Sequence, residues 1–295
     1  MSPAAARLGR IGIWSGPLRR AAEGEAVTAG VELERLGFQA LWLPGGGEGL
    51  FDRVRAILSA TRQVVVATGI VSIWNHAPAS IAAETRATLE AYPDRFLLGL
   101  GISHPERVEA DEPGRYRSPM KALAQYLDVL DLQPHRVAAS ERILAALGPQ
   151  ALALARDRSA GTHPYFVPVT HTSRAREIIG PGKLLAPELA VVLDTNPIRA
   201  RRIARGHINH YLGLRNYVRN LLREGFTQAD LEGGGSDRLV DSLVAWGGIE
   251  QIRARANEHI QAGADHVCLQ VIVESGQDSN RSFPVEAWRE LAALL

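Results

Sequence analysis

Short aliphatic runs alternate along this chain with longer segments whose apolar residues recur every three or four positions. These are the periodicities of buried strands and amphipathic helices. RIGIW, Arg10 to Trp14, reads as a first strand, and the helix AVTAGVELERLG after it stops at Gly37, a residue that suits a helix end. FQALWLP is the second strand, followed by the helix FDRVRAILSAT. QVVVATGI is the third, and Pro78 opens the helix PASIAAETRATLEAY, where the missing N–H of proline costs nothing. RFLLGLG is the fourth, with PMKALAQYLDVLDLQ after a polar loop. The second half gives ERILAALG, THPYFV, LLAPELAVVLD and ADHVCLQVIV as strands five to eight. Between the last two lies a long helical stretch through NYVRNLLREGF and DRLVDSLVAWG, and PVEAWRELAALL closes the chain.

Eight β–α alternations without adjacent hairpin strands argue for parallel pairing, and right-handed crossovers then favour a closed (β/α)8 barrel. A doubly wound open sheet is the rival, but IGIWSGPLRR lacks the G-x-G-x-x-G phosphate fingerprint expected after its first strand. The pattern predicts one barrel domain over residues 1–295, with a helical insertion at about residues 206–247 after the seventh strand. In such a barrel the site lies at the C-terminal ends of the strands. That makes GIVSIWNHAP, Gly69 to Pro78, conspicuous. A buried β-branched run passes straight into bulky polar and aromatic residues, where a strand-to-helix loop usually needs few.

Of the 295 residues 46% are hydrophobic, enough for a sizeable core, and the net charge of +1 comes from interspersed charges without a basic tract. Nucleic acid is therefore not an expected partner. Cys268, alone of its kind, sits in the apolar run HVCLQVIV and reads as core, so neither a disulfide framework nor a thiolate metal site is available. No apolar run approaches the roughly 18 residues of a membrane span, and MSPAAARLGR has no apolar leader core, so a cytoplasmic protein is expected. His76, His104, His163 and His171 fall on separate strand ends without metal-site spacing, so no metal is expected. There is no nucleophile elbow and no P-loop. What remains is a mouth rich in glycine (Gly45 to Gly47, Gly99, Gly101, Gly148) and in aromatic residues. Such walls suit a planar heterocycle with a polar tail. Trp42, inside ALWLP, reads as core, whereas Trp14 and Trp74 are placed at the mouth.

GIVSIWNHAPASIAAETRATLEAYPDRFLLGLGISHPE, with ALGPQALALARDRSAGTHPYFV downstream, resembles the bacterial luciferase-like superfamily, and within it the coenzyme F420-dependent oxidoreductases. The resemblance runs from Arg10 to about Glu274. It implies a non-prolyl cis peptide after the third strand, matched here to Ser72–Ile73, that supports the deazaflavin ring, with Trp74 and Gly101 beside it. It also implies that the LGPQ turn, with Gly148, Pro149 and Gln150, holds the phosphate tail. Independently, a glycine and a first-turn proline leave free N–H groups there for an anion. His171, at the start of the next helix, would complete the tail site, and Trp14 and Tyr217, with Tyr211 and Asn216, would shape the substrate pocket.

Two departures stand out. PGGGEG replaces the Asp-His pair often carried after the second strand, and Ile102 replaces the Glu of the sugar-phosphate dehydrogenases after the fourth. His104, then His76, are the nearest replacement proton donors. The resemblance implies hydride transfer between F420 and a small organic substrate in a homodimer. An FMN-dependent monooxygenase and a non-catalytic ligand-binding barrel are the alternatives.

Overall fold

In most strands of this chain both faces are apolar, because one face packs against helices and the other fills a barrel. The computed structural model describes residues 3–274 and 283–295. Its strands are β1 (Ile11–Trp14), β2 (Ala40–Leu43), β3 (Val65–Thr68), β4 (Val71–Ser72), β5 (Phe96–Gly101) and β6 (Arg142–Leu144). They continue with β7 (Gly161–Thr162), β8 (Leu184–Leu185), β9 (Glu188–Val192), β10 (Val244–Trp246) and β11 (Val267–Val271). All pairings are parallel, in the order β10-β9-β11-β1-β2-β3-β5-β6-β7-β8, with β4 also on β5.

The sheet closes on the run Leu184–Val192. Its first part pairs with β7 and its second with β11, so one continuous segment joins the two sides of the ladder, with β10 added on β9. Ala186 N donates to Thr162 O (3.0 Å) and Glu188 N to Pro164 O (2.9 Å) on one side, while Pro187 O accepts from Cys268 N (2.9 Å) on the other. Trp14, Ala40, Trp42, Val65, Ala67, Leu97, Ile143 and Cys268 fill the interior. Alternate residues such as Ile13, Leu41, Leu43, Val66 and Leu98 face the helices, which is the period of two expected of a strand. The helix Pro3–Leu8 adds Ala4, Ala5 and Leu8 to the interior cluster, closing the barrel where the strands begin.

Four departures from the sequence reading have local causes. The third strand is broken between Thr68 and Val71. The sixth stops at Thr162, since Pro164 cannot donate to a ladder and Phe166 adopts φ +59°. The seventh is divided at Ala186–Pro187. VAW, read as the end of a helix, is β10 and pairs with β9. Between β9 and β10 lie the helices Pro197–Leu212, Arg215–Arg223, Gln228–Leu231 and Asp237–Leu243. With Ala190, Val192 and Phe166 they form a second apolar cluster beside the C-terminal strand ends. Trp42 and Cys268 are fully buried in the core, as expected. Among the described residues no helix is long and apolar enough to cross a membrane.

Burial also places titratable groups. His104, His163, His171, His207 and His266 are each held down to about 4 and His259 to about 3, desolvation being the largest cause in every case. Glu188, on the barrel wall, is pushed up to about 8 by the same effect. From the ordinary histidine value of 6.5 down to about 4, the unfolded chain binds protons that the folded protein does not, so stability falls as acid is added. Glu188 acts oppositely: folded, it keeps a proton that the unfolded chain releases above 4.5, and its cost grows as pH rises to about 8. Thermal melts are expected to fall steeply from about pH 6.5 to pH 4, and Glu188→Gln should melt above wild type at about pH 8.5, the gap closing toward pH 5. Equal melting of the two proteins at alkaline pH would contradict the assignment.

Candidate functional site

The break after β3 shapes the mouth of the barrel. The cis peptide lies at Gly69–Ile70, upstream of the expected Ser72–Ile73. Ladder geometry gives the reason: Val71 and Ser72 are already paired with Leu100 and Gly101, and Ile73 N donates to Gly101 O (3.0 Å). The chain therefore steps away from β5 between Thr68 and Val71, while Gly69 N still donates to Leu43 O (2.8 Å) on the β2 side. Glycines on the flanking strands make room for this step. A Cβ on Gly45 would lie 2.4 Å from the Ile70 carbonyl carbon, one on Gly99 1.8 Å from Thr68 O, and one on Gly101 2.7 Å from Ile70 Cδ1. The Thr68 hydroxyl bridges the gap in the ladder, accepting from Gly99 N (2.7 Å) and donating to Gly99 O (3.1 Å).

This bulge lines an open cavity of about 1850 Å³ at the C-terminal strand ends. Of the residues expected in a site, Ser72, Gly148, Pro149, Gln150, His104, Trp14, Tyr211, Asn216 and Tyr217 line it. The others do not. Ile73 belongs to the main hydrophobic core, and the space beside Gly101 is taken by the Ile70 side chain. Trp74 turns outward, its Nε1 donating to Ile102 O (2.6 Å) with the Arg115 guanidinium 5.9 Å over its ring, so it braces the loop after β5. His76 is half-buried on the loop after β4 and does not line the cavity that His104 lines, so the two do not form a pair. His171 is fully buried, and its Nε2 donates to Leu147 O (2.9 Å). It holds the LGPQ turn from beneath, without facing an anion above it.

His104 caps the helix Pro105–Asp111 and packs 4.6 Å from the Tyr217 ring; its Nδ1 is buried without a partner. At about 4, lowered first by burial and then by Arg107, it is a neutral imidazole at physiological pH. Opposite, the Tyr165 hydroxyl donates to Gln270 Oε1 (2.7 Å), so the Tyr211 hydroxyl is the donor in their 2.7 Å contact. The residue that sequence reasoning missed is Arg223. Its guanidinium lies 3.8 Å from where a Gly148 Cβ would stand, beside the start of the helix Pro149–Arg158. The signal was available: Arg219 and Arg223, four apart on the helix Arg215–Arg223, share a face, and both line the cavity.

The pattern of the luciferase-like monooxygenase family matches residues 11–266. The chain belongs to this family. A protein of Mycobacterium tuberculosis, provisionally named a coenzyme F420-dependent oxidoreductase, is 27% identical over 118 residues, covering 40% of this chain and 33% of the relative. This chain thus matches about a third of that relative's length. Among solved structures, an F420-dependent secondary alcohol dehydrogenase in complex with an F420-acetone adduct superposes with a TM-score of 0.72 at 15% identity, over 97% of this chain and 98% of that one. The oxygenating constituent of 3,6-diketocamphane monooxygenase from Pseudomonas putida, in complex with FMN, gives 0.69 at 13%, over 96% and 95%. The coenzyme F420-dependent tetrahydromethanopterin reductase of Methanopyrus kandleri gives 0.66 at 13%, over 97% and 98%. At these identities the structural likeness is one of fold.

Within this luciferase-like fold the Thr68 hydroxyl is what replaces a missing rung of the ladder. Thr68→Val keeps the shape and strands the Gly99 N–H and C=O. A loss of about 1–3 kcal/mol in urea denaturation is expected, with unchanged far-ultraviolet circular dichroism. An unaltered midpoint would show that the bulge does not depend on this bridge.

Proposed function

We propose that this protein is a coenzyme F420-dependent oxidoreductase that transfers hydride between the deazaflavin and a small organic substrate. The observation that carries this reading is the pairing of two features in one cavity. A glycine-cleared backbone bulge offers flat support for a tricyclic ring, and the Gly148 turn flanked by Arg223 offers a cationic seat for an anionic tail. Free N–H groups at a helix start and a nearby guanidinium both favour a phosphate. F420 is preferred over FMN because the relative that matches at 27% identity carries the F420 name, whereas the FMN-bound neighbour matches at 13%.

Bound there, the deazaflavin would supply two-electron hydride chemistry. The bulge at Gly69–Ile70 would support the ring, and Gly148, Pro149, Gln150 and Arg223 would hold the tail. Trp14, Tyr165 and Tyr217, which line the cavity, would wall the space beside the ring. His104, neutral and with Nδ1 unpartnered, is placed to hydrogen-bond a ligand, and its own titration lies below the neutral range. Placement and dehydration are most of what hydride transfer asks of a protein.

Difference-absorbance titration of the cofactor-free protein with F420 and with FMN tests this. Saturable F420 binding at micromolar concentration or tighter, with FMN much weaker, is expected. Arg223→Gln should weaken F420 roughly tenfold, as loss of a charge-assisted bond implies. A preference for FMN would move the assignment to a flavin monooxygenase, and binding of neither would leave a barrel that serves another ligand.

A further inference from the structure

We propose that Trp14 Nε1 and His163 Nε2 together bind one hydroxylic oxygen, from a water molecule or a small alcohol, at the cavity wall beside Gly69. Trp14 ends β1, His163 follows β7 and Gly69 follows β3, and all three line the cavity. Trp14 is 8% exposed and His163 1%. Yet neither Trp14 Nε1 nor His163 Nε2 has a hydrogen-bond partner. Both nitrogens flank one point: a Cβ on Gly69 would lie 2.7 Å from Trp14 Nε1 and 2.9 Å from His163 Nε2.

The protons on these atoms follow from their other contacts. His163 Nδ1 lies 2.7 Å from Ala186 O. A carbonyl only accepts, so the ring proton is on Nδ1 and Nε2 presents a lone pair. An indole N–H only donates. The site therefore offers one donor and one acceptor to the same space. A carbonyl oxygen would answer Trp14 alone, and an ammonium His163 alone. An O–H group answers both, accepting from the indole and donating to the imidazole.

Both side chains are held in place. The His163 ring stacks on Trp42 with centroids 4.3 Å apart and planes 21° apart, and Trp14 packs 5.4 Å from Tyr165. Burial keeps His163 neutral, so its acceptor persists across the neutral range. Buried polar atoms left without partners are rare, and paired orphans of opposite sense in a roomy polar site are where ordered water is found. The inference is independent of which cofactor the cavity takes, so its test uses the cofactor-free protein.

Two measurements decide it. In a crystal structure of the cofactor-free protein, one ordered oxygen is expected within about 3.2 Å of both nitrogens. In nuclear magnetic resonance spectra of the ¹⁵N-labelled protein, the Trp14 indole N–H, assigned by its loss in Trp14→Phe, is followed during titration with 2-propanol and, separately, with acetone. A saturable shift with 2-propanol and not with acetone supports the site with an alcohol as occupant. An ordered oxygen that persists, with no shift from either compound, supports the site with water as occupant. Trp14→Phe should lose the oxygen in either case, and Gly69→Ala should lose it because the added methyl crowds both nitrogens. No oxygen on either nitrogen together with no saturable shift overturns the proposal, as does an oxygen that survives Trp14→Phe unmoved.

Discussion

The arrangement of the whole mouth depends on how the chain leaves the sheet between Thr68 and Val71. The chain steps away from β5 there, and its two neighbouring strands must yield the volume that it occupies. Gly45 after β2 and Gly99 and Gly101 on β5 yield it, since a single methyl group at any of them would overlap the Thr68–Val71 segment. The step leaves backbone groups of β5 without their usual partner, and the Thr68 side chain supplies one. The same excursion leaves Gly69 facing Trp14 and His163. The bulge and the polar pair beside it are therefore consequences of one packing solution.

The tail end of the cavity is built on a different principle. Its residues come from the turn before the helix Pro149–Arg158 and from the helix Arg215–Arg223, which belong to separate hydrophobic clusters. His171 joins the first of these to the helix behind it by holding the Leu147 carbonyl. That bond fixes the turn's orientation while leaving its N–H groups free. The histidine is neutral there because an imidazolium would be desolvated and would face the Arg174 and Arg223 cations.

Element type and order were legible in the sequence because the barrel strands are buried on both faces and the helices between them are amphipathic. The LGPQ turn was legible for the same reason a helix start usually is: glycine and proline carry their backbone preferences with them. What was not legible depends on register and on long-range contact. Ser72–Ile73 and Gly69–Ile70 look equally able to bulge until β4 is seen pairing with β5. Trp74 and His76 are as polar and aromatic as Trp14, yet the loop after β4 turns them away from the cavity, and only the hydrogen bond from Trp74 to Ile102 shows it. His163 was weighed only as a metal ligand on its strand end, although its deeper place follows from stacking on Trp42, over a hundred residues away. Arg223 lay in a segment read for its helical period and not for its cationic face.

The absence of an acid–base cluster from the sequence has a structural counterpart. The cationic residues of the cavity, among them Arg107, Arg219 and Arg223, come from the helices over its mouth, whereas His104 and His163 are kept neutral by burial. Glu188, on the wall behind Phe166, is held protonated by the same desolvation. The interior therefore carries little charge near pH 7, while the rim is positive. A field of this shape draws in an anionic ligand by its tail and leaves its uncharged end to dispersion, stacking and a few directed hydrogen bonds. Chemistry in such an interior would have to proceed with little build-up of charge, since the low-dielectric walls raise the cost of any ion formed there.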